Sequence, residues 1–167
     1  MKENTKLGIF QSGAFLASLL ALIFTALPGY FETGYGNLTI LQQIFGNEKT
    51  EFNIILLLAF ILLIIGCLLA AVLAVLCFLN KFNSDKLVTI LSIVSAALIL
   101  IGGVILSLSI FITGLDKSNS ELGFIQGNWG LGIGNILLPI FALIAIGLSY
   151  PCCMIIPHHK DLADKSK

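Results

Sequence analysis

Residues 53–79 read NIILLLAFILLIIGCLLAAVLAVLCFL, and this run decides the fold. It holds no Asp, Glu, Lys, Arg or His, and it exceeds the roughly 20 apolar residues needed to cross a bilayer core. A surface helix of a soluble domain would turn a polar stripe to water, and this run has none. Three further runs, 7–27, 87–113 and 131–156, share its character, and every Lys, Asp, Glu and His lies between or beyond the four. Only 11% of the residues are charged, against about 25% in soluble domains. The expected fold is an all-α integral membrane protein, a four-transmembrane-helix antiparallel bundle, with residues 1–167 forming a single four-span membrane domain.

Orientation follows from the lysines, which are the only basic residues apart from two histidines. Lys2 and Lys6 precede the first run, Lys81 and Lys86 lie in the middle connection, and Lys160, Lys165 and Lys167 follow the last run. The first and third connections carry only Lys49 and Lys117. The positive-inside rule then places the N- and C-termini in the cytoplasm, in the cell membrane. Lysines spread over three segments form no basic patch, so no nucleic-acid partner is expected. The first run ends at Leu27-Pro28-Gly29-Tyr30 without a small-x-small cleavage site, so it reads as a retained span rather than a signal peptide.

The connections differ in character. In the first outer loop, residues 28–52, the stretch from Pro28 to Gly36 is rich in aromatics and glycine and suits a turn at headgroup level. Leu38, Leu41, Ile44 and Phe45 follow at helical spacing and read as a short amphipathic helix, with an irregular loop as the other reading. The inner loop, residues 80–86, is a tight hairpin with Ser84 or Asp85 as N-cap, which makes the second and third spans antiparallel neighbours. In the second outer loop Trp129 reads as an interfacial anchor. Gly130-x-Gly132-x-Gly134 lacks the βαβ context of a nucleotide loop and reads as a flexible or close-packed entry to the fourth span, which Pro139 is expected to bend.

Within the spans, small residues recur at helical spacing: Gly13, Ala17, Ala21; Gly66, Ala70, Ala74; and Thr89, Ser92, Ala96, Gly103, Ser107. In lipid, where apolar contact alone gives no drive for association, such stripes let helices approach closely. The deepest polar groups are Gln11, Thr25, Asn135, Ser92, Ser95, Ser107 and Ser109. Gln11 and Asn135 read as interfacial or interhelical hydrogen bonders, and the serines as returning their hydroxyls to their own helix. Ion-coupled transport and membrane hydrolysis both call for ionisable groups inside the membrane, so an enzyme is not expected. Cys67, Cys77, Cys152 and Cys153 avoid the outer loops, leaving no disulfide framework there. Cys152, Cys153, His158 and His159 gather near the end of the last run, but in no recurrent zinc spacing; neither a metal nor a cofactor is expected.

Four spans, cytoplasmic termini, a longer first outer loop and a tight inner loop resemble the claudin and peripheral-myelin-protein tetraspan plan. Claudins carry a Trp, a Gly-Leu-Trp and two cysteines in the first outer loop; residues 28–52 here contain neither Trp nor Cys. The resemblance is one of layout, and it transfers no functional residue.

The expected function is that of a non-enzymatic multi-pass membrane protein, an accessory or structural subunit acting through helix faces and outer loops. Its partners are membrane lipid and another membrane protein or itself. The candidate interaction residues are Ser92, Ala96, Gly103, Ser107, Tyr30, Phe31 and Tyr35. The alternative is a small oligomeric channel or transport subunit whose path is lined by the serines of the third span.

Overall fold

The computed structural model describes residues 3–32, 36–46, 51–79, 85–113 and 130–164. Helices α1 (Glu3–Phe24), α3 (Ile54–Leu79), α4 (Asp85–Ser107) and α6 (Ile133–Asp164) are the long ones. Each is long and apolar enough to cross a membrane, as in a multi-pass membrane protein. Helix α1 packs on α3 and α6, and α4 packs on the same two, so the four close into a ring. Leu56, Leu63, Ile99, Leu106 and Leu138 fill its centre and are fully buried. Leu16, Leu58, Leu68, Ile90 and Leu143 point outward and are exposed. Apolar side chains on the outside of a bundle suit contact with lipid chains and would be a liability in water.

The expectation of an all-helical chain holds for the spans and fails between them. Three short strands, β1 (Pro28–Glu32), β2 (Gly36–Thr39) and β3 (Gly130–Leu131), form an antiparallel sheet in the order β2-β1-β3. The sequence from Pro28 to Gly36 reads as a headgroup-level turn, yet Pro28–Glu32 and Gly36–Thr39 are strands. Tyr30 pairs with Leu38 and Leu131, and Phe31 with Asn37 and Gly130. Aromatic residues favour such pairing, but β1 becomes a central strand only because β3 arrives from far along the chain.

The junction between α1 and the sheet is tight. Thr25, Ala26 and Leu27 each bond to the carbonyl three residues back, at 3.0 to 3.1 Å, which winds α1 down before Pro28 ends it. The register of β1 shifts between Pro28 and Tyr30, and there the Gly29 carbonyl accepts from Gly132 N–H at 2.9 Å. A Cβ on Gly132 would collide with the Pro28 carbonyl, so the glycine-rich entry to the fourth span is a close-packed one.

Helix α2 (Ile40–Phe45) follows β2 directly and opens with a capping box. The Thr39 hydroxyl accepts from Gln42 N–H at 3.1 Å, and the Gln42 side chain accepts from Thr39 N–H at 2.9 Å. Two backbone bonds then tie α2 to the bundle. Leu41 N–H donates to Thr25 at the end of α1, and Ile44 accepts from Asn53 N–H just before α3. Asn53 caps α3, its side-chain oxygen accepting from Ile55 and Leu56 N–H at 3.0 and 3.2 Å.

The third apolar run holds two helices. At Leu108 a one-residue turn separates α4 from α5 (Ser109–Thr113). Helix α6 continues unbroken through Pro139, Pro151 and Pro157. At the end opposite the sheet Leu7, Cys77 and Cys152 form a small buried cluster, and the Cys152 thiol donates to the Leu7 carbonyl at 3.8 Å.

Candidate functional site

Among the described residues, the densest buried polar grouping lies beneath the sheet. Helix α2 buries Ile40, Gln43 and Ile44 on one face, a spacing of three and four residues that turns Gln43 inward with the two isoleucines. Gln42, one position earlier, is exposed and occupied by the cap. Asn135 approaches from the first turn of α6 and Ser109 from the first residue of α5, both buried. The Ser109 hydroxyl donates to Asn135 Oδ1 at 3.5 Å. Gly29 stands between the two amides: a Cβ there would lie 3.3 Å from Gln43 Nε2 and 3.4 Å from Asn135 Oδ1. Neither polar atom of the Gln43 amide, nor Asn135 Nδ2, has a hydrogen-bond partner among the described residues.

Sequence reading singled out Asn135 but missed Gln43. The signal was present: a Thr-x-x-Gln capping box at Thr39 and Gln42 fixes the phase of α2, and that phase turns Gln43 in. What Asn135 meets could not be read the same way, because Ser109, Gly29 and Gln43 reach it from three different segments.

Two residues of the small-residue stripe of the third span, Ser92 and Gly103, meet α6 of this chain's own bundle. Ser92 is fully buried and its hydroxyl donates to the Ser149 carbonyl of α6 at 3.4 Å. A Cβ on Gly103 would stand 2.9 Å from the Cβ of Ala142, also on α6. Ala96 is half-buried on α4, and the Ser107 hydroxyl returns to the Gly103 carbonyl one turn back at 2.6 Å. Ser95 reaches the other neighbour, donating to the Gly66 carbonyl of α3 at 2.8 Å. Of the serines expected to return their hydroxyls to their own helix, Ser107 does so, whereas Ser92 and Ser95 reach a neighbouring helix and Ser109 reaches Asn135.

Of the remaining candidates, Tyr30 and Phe31 lie in β1. Tyr35 and Trp129 fall outside the described residues, as do the side chains of Cys153, His158 and His159. Among the described residues no three His, Cys, Asp or Glu side chains gather as a metal site would require. Gln11 is buried in the helix bundle with neither amide atom partnered among the described residues.

Set against protein-family models, curated proteins and solved structures, the chain matches none.

Proposed function

We propose that this protein is a non-enzymatic membrane component, an accessory or structural subunit that presents the sheet end of its bundle to another membrane protein or to a second copy of itself. The observation that carries the reading is the sheet. It joins the segment after α1 to the segment before α6 across the helix ends, and it packs on α6 and α2. A hydrogen-bonded sheet tied to the helix ends is partly preorganised, and preorganised surfaces bind with a smaller ordering cost. The apolar runs 7–27, 53–79, 87–113 and 131–156 contain no Asp, Glu, Lys, Arg or His to drive coupled transport or acid–base chemistry. Seven lysines against two favour cytoplasmic termini, which puts the sheet on the outer side.

With Ser92 and Gly103 of α4 turned to α6, the contact surface we assign is the cap, around Tyr30 and Phe31 of β1. The test is affinity purification of the full-length protein from native membranes in mild detergent, with mass spectrometry of what stays bound. A membrane protein recovered in stoichiometric amount, and lost from the Tyr30→Ala, Phe31→Ala variant, is the expected result. Recovery of the chain alone, together with ion leakage from liposomes that contain it, would overturn the reading in favour of a channel.

A further inference from the structure

We propose that Gln43, Asn135 and Ser109 form a buried binding site for a single water molecule, which bridges α2 to α6 beneath the sheet. Three observations converge. Gln43 and Ser109 are fully buried and Asn135 nearly so, at 0%, 0% and 5% exposure. Three amide atoms, Gln43 Oε1, Gln43 Nε2 and Asn135 Nδ2, have no partner among the described residues, although buried polar groups nearly always find one. The two amides also converge on one point: a Cβ on Gly29, which Ile40 Cγ1 would crowd at 2.8 Å, would lie 3.3 Å from Gln43 Nε2 and 3.4 Å from Asn135 Oδ1, so one small molecule beside Gly29 is within reach of both.

The chemistry of the groups selects the ligand. Each carboxamide offers a donor and an acceptor, and the serine hydroxyl offers both. A cation would leave the NH₂ groups facing positive charge, and an anion would leave the carbonyl oxygens facing negative charge. Water donates two hydrogen bonds and accepts two, which matches a mixed, neutral set. Buried waters in proteins typically make about three such bonds to otherwise unpaired groups. The bridge would fasten the cap helix to the fourth span at a point where no direct side-chain bond does so. It is independent of the partner-binding role assigned above.

The test is thermal unfolding of the full-length protein in detergent for Gln43→Met, Asn135→Leu and the double variant. If water joins the amides, Gln43→Met lowers Tm by about 3 °C, one hydrogen bond's worth in a chain of this size; Asn135→Leu lowers it further because it also removes the Ser109 bond, and the double change lowers it by less than the sum. A Gln43→Met protein as stable as the parent, or more stable, would show the amide to be dry and sink the proposal. Should the variants fail to fold, the unaltered protein supplies the readout. Selective ¹⁵N-glutamine labelling should show magnetisation transfer from long-lived water to the Gln43 NH₂ group, and its absence overturns the assignment. A Tm of the unaltered protein that climbs with added acetamide also overturns it, because the site would then take a small amide instead of water.

Discussion

The Ser95 hydroxyl on α4 donates to the Gly66 carbonyl on α3 at 2.8 Å, at a crossing where Gly66 has no side chain to hold the helices apart. The bond uses a second lone pair of a carbonyl inside a helix, so neither helix gives up a backbone bond. A methyl at Gly66 would stand 2.8 Å from Ile99 Cγ1 and 3.1 Å from the Ser95 carbonyl. Close approach and hydrogen bond therefore depend on one another.

This pair separates two contributions to bundle stability. Ser95→Ala removes only the hydroxyl, and interhelical hydrogen bonds of this kind average about 0.6 kcal/mol in membranes. Gly66→Ala forces backbone apart, and overpacking typically costs about 1–3 kcal/mol. Reversible unfolding in mixed micelles should rank Gly66→Ala as clearly the more damaging. Equal losses would show that the hydroxyl, and not the close approach, holds α3 to α4.

Gly103 tests whether the seam between α4 and α6 belongs to one chain. With Ala142 Cβ 2.9 Å from where a side chain would begin, Gly103→Leu has no space to enter. The expected outcome is loss of the folded monomer itself, seen as aggregation on gel filtration or proteolysis in the helices. A folded Gly103→Leu protein that merely dissociates from a partner would place the seam between chains instead.

Gly132 governs attachment of the cap. Its N–H donates to Gly29, and any Cβ would strike the Pro28 carbonyl. Gly132→Ala should spread β1 from the start of α6 while sparing the spans. Hydrogen exchange is the measurement: the Gly132 and Phe31 amides should lose protection in the variant, and amides of α3 should keep theirs. Uniform loss of protection would mean that cap and bundle unfold as one unit.

Gln11 offers a contrast to Gln43. Its amide is buried with both polar atoms unpartnered among the described residues, and a buried polar group left unpaired costs about 1–3 kcal/mol. The other unpartnered amides among the described residues, Gln43 and Asn135, sit beneath the sheet instead. Gln11→Leu is therefore expected to raise stability by an amount in that range, read from the same unfolding curves. A fall in stability would reveal that Gln11 holds a partner of its own.

How far the residues spelled out this structure differs between its parts. Apolar runs of 20 or more residues are decisive because partitioning into lipid is a local property, summed residue by residue and indifferent to the rest of the chain. The end of the first helix ahead of Pro28 belongs to the same class. So does the capping box at Thr39 and Gln42, a device contained within four consecutive residues. The small residues of α4 were legible as a packing face, but their neighbour was not, since Gly103 would suit Ala142 or an identical helix equally well.

Tertiary structure decided the rest, and it did so through contacts between segments far apart in the chain. Gly130 and Leu131 become a strand by meeting Tyr30 and Phe31, so Tyr30 and Phe31 sit in the centre of a sheet instead of a turn. Ser95 and Ser92 send their hydroxyls across to α3 and α6, a choice set by which helix stands opposite. Gln43, Asn135 and Ser109 come together from three segments. No window of sequence contains such a meeting, because closing a long loop is driven only by the packing it completes.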